Sequence, residues 1–302
     1  MHRRTFLAGT AAGLAGAALA GGRADARKPA PLLQRPIPSS GEKIPALGLG
    51  TWQTFDVSGA RIAAVQPVLD RFLALGGRLV DSSPMYGNAE AAVGAMLKAR
   101  GAGAVRPFLA TKVWTSGAKE GVAQMRRSAD RFGVKTIDLM QVHNLMDWKT
   151  HLPRMRAWKQ AGTFRYIGVT HYQHGAFAEL EQIIRKEKID SVQLPCSVVD
   201  REAEKRLLPA AADAGVAVLI LSPFESGALF RRVKGTALPA WAADIDCTSW
   251  AQVFLKFLLG HPAVTCPLPA TDKVKHVEDN LQALRGRLPD EKLRDRIARD
   301  LS

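Results

Sequence analysis

The chain has 302 residues, 47 % apolar and 23 % charged, which bounds it to one large globular domain and excludes a disordered protein. Its formal charge is +14, but the lysines and arginines are scattered through helical segments and not interleaved with aromatics. A nucleic-acid partner is therefore not indicated, and the charge reads as a solvated surface with a mild preference for anionic ligands.

Residues 2–7 read His-Arg-Arg-Thr-Phe-Leu, and an uncharged run rich in Ala and Gly extends from Ala8 to Gly22. Twin arginines ahead of a weakly apolar stretch mark a bacterial Tat export signal, too short and too weakly hydrophobic to span a bilayer well. Small-x-small cleavage sites lie at Ala24-Asp25-Ala26 and Ala18-Leu19-Ala20. An N-terminal anchor or a basic tail is the plainer alternative. The expectation is a signal peptide over 1–26, the Tat export machinery as a partner, and a periplasmic mature chain over 27–302 with no membrane span. The Tat route carries proteins that are already folded, often because a cofactor is loaded first, so a cofactor is expected.

Beyond the signal, short apolar runs alternate with amphipathic stretches. Pro36 to Pro45 is turn-rich and fits a hairpin closing a barrel floor. Strand-like runs follow at Ala46–Thr51, Arg78–Ser82, Phe108–Val113, Ile137–His143, Tyr166–Thr170, Ser191–Leu194, Val216–Ser222 and Ala263–Leu268. Continuous apolar strands of this kind suit a parallel sheet buried on both faces. Between them, stripes at helical spacing appear: Val122, Met125, Ala129, Phe132; Phe177, Leu180, Ile183, Ile184; Leu207, Leu208, Ala211, Ala214; and Val253, Phe254, Phe257, Leu258. Gly133, Gly215 and Gly260 stand where three of these helices should end. Phe224 to Ser249 reads as a long irregular insertion. Eight strands alternating with helices predict an α/β fold, a (β/α)8 TIM barrel. An open doubly wound sheet is the rival, and it lacks the GxGxxG that should follow its first strand. Of the three cysteines, Cys196 and Cys266 read as small buried hydrophobes; with Cys247 making an odd count, pairing stays open.

Barrel enzymes carry their chemistry at the C-terminal ends of different strands. Those ends hold Asp81, with Tyr86 just beyond, Lys112 and His143. A tyrosine titrates near ~10 in water, so it is a poor proton donor at neutral pH unless tuned. An adjacent ammonium favours phenolate and lowers that value, and a carboxylate fixes the ammonium. A neighbouring histidine can orient a carbonyl oxygen while the phenol protonates it. No activated nucleophile and no zinc or magnesium ligand set accompanies these four. A hydride from a bound nicotinamide would complete a reduction. Trp52, Phe55, Trp114 and Trp148 follow strand ends and are expected to wall an apolar substrate pocket, with loop packing as the alternative.

Leu47-Gly48-Leu49-Gly50-Thr51-Trp52, Asp81-Ser82-Ser83-Pro84-Met85-Tyr86-Gly87-Asn88, Ala110-Thr111-Lys112-Val113, Gln141-Val142-His143-Asn144 and Ile167-Gly168-Val169-Thr170 resemble the successive motifs of the aldo-keto reductases. The resemblance runs from about Ile37 to Leu288. It implies reduction of small-molecule aldehydes or ketones, or the reverse, with Tyr86 as general acid, Lys112 and Asp81 as its tuners and His143 as the carbonyl orienter. It also implies NADP(H) ahead of NAD(H) as cofactor, and a monomer. Cofactor contacts are implied for Thr51, Trp52, Thr170, His171, Gln193, Ser222, Pro223, Thr271, Lys273 and Asn280. Three places depart from the family pattern: the pair Thr170-His171 stands where Ser-Asn is usual, Leu221 where an aromatic often stacks, and His276 where an arginine is frequent. Two other functions remain open from the residues: a sensor or binding protein on a reductase scaffold, and a barrel hydrolase using His143 and Asp81.

Overall fold

A computed structural model describes residues 31–301; the expected signal over 1–26 lies outside the described residues. The described chain opens with an antiparallel hairpin, β1 (Gln34–Pro36) against β2 (Lys43–Pro45). Eight strands follow: β3 (Leu49–Gly50), β4 (Leu79–Asp81), β5 (Phe108–Val113), β6 (Ile137–His143), β7 (Phe164–Thr170), β8 (Ser191–Pro195), β9 (Ala217–Leu221) and β10 (Val264–Pro267). They pair in parallel and in chain order. The two ends meet: the Gly48 N–H donates to the Pro267 carbonyl at 2.9 Å, the Gly50 N–H donates to Pro269 at 3.0 Å, and Gly50 bridges Ala270. The sheet is thus a closed (β/α)8 barrel, as the alternation predicts. Closure needs a glycine at position 48, because a Cβ there would lie 2.5 Å from Leu268 Cδ2 and 2.9 Å from Leu79 Cδ2.

The helices are α1 (Ile62–Ala74), α2 (Ala89–Ala99), α3 (Ala118–Phe132), α4 (Trp148–Gln160), α5 (Phe177–Lys186), α6 (Glu202–Lys205), α7 (Leu207–Ala214), α8 (Ala228–Arg232), α9 (Trp250–Leu259), α10 (Val274–Gln282) and α11 (Glu291–Asp300). Sequence neighbours touch around the outside, and α10 packs on α1 to complete the ring. Left-handed Gly133 and Gly215 end α3 and α7 as expected. Gly260 does not work that way: it keeps a right-handed φ of −67°. On α7 the buried stripe runs through Ala210, whereas Ala214 faces solvent.

The period of two along each strand divides the barrel into layers. Near the strand starts, Leu79, Phe108, Leu139, Tyr166, Leu219 and Leu268 pack together inside, sealed by Ile37 and Ile44 of the hairpin. The hairpin therefore closes the floor, held by the Tyr166 hydroxyl, which donates to Glu42 Oε2 at 2.5 Å. Two or four residues further along the same parity come Asp81, Lys112, Gln141, His143, Thr170 and Gln193, which are polar and buried. Residues of the other parity, such as Val80, Leu109, Val142 and Val169, pack outward in the apolar clusters that include the helices.

Two expectations need correction. The first barrel strand pairs only over Leu49–Gly50, because Ala46 is drawn back to the Leu33 carbonyl at the hairpin. The 224–249 insertion is not irregular: it holds α8 and two 3-10 turns, Glu225–Gly227 and Ala240–Ile245. Phe224, Phe230 and Trp250 pack their rings on Phe254 of α9, which pins it. All three cysteines are buried and free. Among the described residues no helix is long and apolar enough to cross a membrane.

Candidate active site

The polar layer at the C-terminal strand ends is built around one ammonium. Lys112 on β5 is 1 % exposed. Its Nζ donates to Asp81 Oδ1 at 2.9 Å, to Asp81 Oδ2 at 2.7 Å and to the Ser82 carbonyl at 2.8 Å. Strand register places them together, since Asp81 pairs with Ala110 on the adjoining strand, two residues before Lys112. The carboxylate receives two further donors: Gln193 Nε2 reaches Oδ2 at 3.2 Å, and Gln141 Nε2 reaches Oδ1 at 3.5 Å. A buried ion pair of this kind is tolerable only when its remaining hydrogen-bonding capacity is met. Burial opposes the charged form of Lys112, yet Asp81 and Tyr86 together hold it above the ordinary lysine value.

Tyr86 lies on the turn between β4 and α2, where its N–H donates to the Ser83 carbonyl at 3.0 Å. Lys112 Nζ sits 5.1 Å from the centre of its ring. His143 meets the same ring edge-on, with centroids 5.9 Å apart. The expectation that Lys112 makes this phenol more acidic than usual is corrected here. Burial raises the phenol first; Lys112 pulls it down, Asp81 pushes it up, and the net lies above the ordinary value. The phenol accordingly keeps its proton at neutral pH. His143 is 6 % exposed, and burial, then Lys112 and His171, lowers it to about 3. A protonated phenol and a neutral imidazole thus stand side by side, which suits donation to a developing oxyanion.

The other expected residues divide. Thr170 ends β7, in register with both His143 and Gln193. His171 follows it, stacked on Tyr172 with centroids 5.6 Å apart; its Nδ1 accepts the Gln173 N–H at 3.0 Å, and burial lowers its basicity. Ser222, with φ +51°, and Pro223 leave the end of β9. Thr271 follows Ala270, which bridges Gly50, so it shares a rim with Thr51 and Trp52. Its Oγ1 accepts the Lys273 N–H at 3.1 Å and bonds His276 Nδ1 at 3.1 Å. Asn280 is buried within α10. Thr51 is fully buried; its hydroxyl donates to the Asp81 carbonyl at 3.0 Å and bonds the Ser82 hydroxyl at 3.0 Å, so it braces the carboxylate strand. Gln193 likewise engages Asp81 from beneath.

Of the expected aromatic wall, Trp52 and Trp114 are exposed at 46 % and 37 %. Trp114 lies 6.3 Å from His143 between ring centres. Phe55 does not belong to the wall: it is fully buried among the residues under α1 and α2. Trp148 donates its indole N–H to Glu179 on α5 at 2.7 Å and packs on the outer apolar cluster. Ser83 and Gln141 were not singled out from the sequence. Gln141 had a signal: a polar residue at the inward parity, two positions before His143. Among the described residues no group of three or more His, Cys, Asp or Glu is placed to hold a metal ion.

The model of the aldo/keto reductase family matches residues 46–296. The chain belongs to the aldo/keto reductase family. An uncharacterised oxidoreductase of Schizosaccharomyces pombe is 34 % identical over 52 % of this chain and 50 % of its own length. An aldo-keto reductase of Mycobacterium sp. strain JLS is 33 % identical over 45 % and 49 %. The chain thus spans about half the length of these curated relatives. Among solved structures, a thermostable aldo-keto reductase in complex with the inhibitor epalrestat aligns with TM-score 0.74 at 25 % identity, over 88 % of this chain and all of that one. A Klebsiella pneumoniae aldo-keto reductase in complex with NADPH aligns at 0.71 and 22 % identity, over 86 % and 92 %.

Replacing Lys112 by Met should leave the Asp81 carboxylate buried without its ion. The variant is expected to lose about 3–5 kcal/mol of stability in urea unfolding. An unchanged midpoint with an unchanged slope would contradict the pairing described here.

Proposed function

We propose that this protein is an NADP(H)-dependent oxidoreductase that reduces aldehyde or ketone carbonyls to alcohols. The observation that carries the reading is the buried Lys112–Asp81 pair set 5.1 Å from the centre of the Tyr86 ring, with neutral His143 against the same ring. Membership of the family and relatives solved with NADPH support it.

The residues present fit such a cofactor. The start of α10 has no side-chain cap, and Thr271 and the exposed Lys273 lead into it. A helix N-terminus with these neighbours suits a phosphate group. NADPH would supply hydride when bound. The chain's own part is the proton and the orientation. Tyr86 donates its phenolic proton to the carbonyl oxygen as negative charge gathers there. His143 hydrogen-bonds that oxygen, and Asp81 keeps Lys112 fixed against the phenol so that the phenolate left behind is stabilised. Trp52 and Trp114 present apolar surface to the substrate.

We further propose that the twin-arginine segment exports the folded protein to the periplasm. Arg3→Lys with Arg4→Lys should retain the protein in the cytoplasmic fraction of a Tat-competent bacterium. Equal periplasmic recovery of the variant would refute export by this route.

The Tyr86→Phe variant should bind NADPH in a nicotinamide fluorescence titration yet lose at least about 10²-fold in carbonyl turnover. In the unaltered protein, with His143 at about 3 and the phenol raised, both groups hold their working protonation states through neutral pH. Reductive kcat/KM should therefore stay level there and fall only as rising pH passes the raised phenol value. Retained turnover in the variant, or an acid limb near the ordinary imidazole value of ~6.5, would count against the mechanism.

A further inference from the structure

His143 is oriented by a residue that the proposed reaction does not itself require. Its Nδ1 lies 3.0 Å from Ser83 Oγ, and Ser83 is fully buried. The same Oγ already accepts the backbone N–H of Met85 at 3.2 Å. A serine hydroxyl carries one proton and two lone pairs. Among the described residues, the acceptor in contact with that proton is His143 Nδ1. Were Nδ1 to carry the imidazole hydrogen instead, it would donate to the remaining lone pair of Oγ and the buried hydroxyl hydrogen would be left without an acceptor, an arrangement disfavoured in a dry interior.

The ring carries a single proton at neutral pH, because burial, with Lys112 and His171 nearby, holds its basicity far below the ordinary imidazole value. A lone proton excluded from Nδ1 resides on Nε2. We propose that Ser83 is a positioning residue that fixes His143 as the Nε2–H tautomer. The imidazole then presents a donor, and not a lone pair, to a carbonyl oxygen. The functional part of this inference rests on the carbonyl-reductase reading; the tautomer itself does not.

The consequence is an economical division of labour along three consecutive residues. Asp81 accepts from Lys112 through its side chain, and Ser82 accepts from Lys112 through its carbonyl. Ser83 then holds His143. The Ser82 hydroxyl cannot replace that of Ser83, because it faces Thr51 Oγ1 at 3.0 Å on the other side of the strand end. One short segment thus sets both the ammonium under the phenol and the tautomer of the imidazole beside it.

The test is long-range proton–nitrogen correlation NMR on the full chain labelled with 15N-histidine at neutral pH. The His143 signal is assigned by its loss in His143→Asn. The expected pattern is a pyridine-type Nδ1 and a protonated Nε2. In Ser83→Ala that pattern should shift toward tautomeric exchange, kcat/KM for carbonyl reduction should fall about tenfold, as for loss of an orienting hydrogen bond, and NADPH affinity by fluorescence should be unchanged. A protonated Nδ1 in the unaltered protein, or an unaltered His143 pattern in Ser83→Ala, would overturn the proposal. The nitrogen pattern needs no turnover. A protein inactive toward carbonyls whose His143 still responds to Ser83→Ala would therefore overturn the reductase reading while upholding the role of Ser83.

Discussion

A lysine only 1 % exposed inside a closed sheet is the constraint on which the rest of the site depends. Removing an ammonium from water costs several kcal/mol unless an opposite charge and further hydrogen bonds replace the lost hydration. Asp81 supplies the charge and accepts two of the three hydrogens, the Ser82 carbonyl accepts the third, and Gln141 and Gln193 complete the carboxylate. These partners come from three strands, β4, β6 and β8, around the one that carries the lysine. The ion pair and the barrel therefore specify each other: the register that closes the sheet is also the register that satisfies the charge.

The barrel separates this chemistry from its stability by layer. The floor is apolar and sealed by Ile37 and Ile44. Buried carboxylates near the strand starts do structural work: Asp138 accepts the Leu109 N–H at 2.8 Å and pairs with Arg165, and Asp190 accepts the Ile167 N–H at 2.9 Å and pairs with Lys159. Those carboxylates have exposed basic partners that water can screen. Asp81 has a buried one, and it sits at the end of the barrel where strand-end loops collect. The same residue type thus serves two purposes, and depth along the strand decides which.

Much of this was legible in the chain. Strands β5 and β6 have the very limits read from their apolar runs, because both faces of a parallel strand are buried and the run ends where solvent begins. Asp81, Tyr86, Lys112 and His143 were legible because each lies at or just beyond a strand end. The electrostatic balance was not. Proximity of Lys112 suggested an acidified phenol, whereas burial of Tyr86 outweighs it, and burial is a property of the assembled fold. Phe55 looked like a pocket wall because it follows a strand end, but the Thr51 carbonyl accepts its N–H at 3.1 Å and the turn folds it inward. Ser83 was hidden for a similar reason: its meaning lies in a contact with a residue sixty positions away. The helices of the 224–249 segment were missed because their apolar anchors, Phe224 and Phe230, find their partners in α9 and not in their own periodicity.

The central claim is that Lys112, held in place by Asp81, restrains, without reversing, the rise that burial imposes on the Tyr86 phenol. Labelling the tyrosine Cζ carbons with 13C gives one resonance each for Tyr86, Tyr166 and Tyr172, and their pH titration reports each phenol directly. Tyr86 is expected to titrate above the ordinary phenol value of ~10 in the unaltered protein, and higher still once Lys112 is replaced by Met. A Tyr86 resonance that titrates below that value, or that does not respond to the loss of Lys112, would contradict the account.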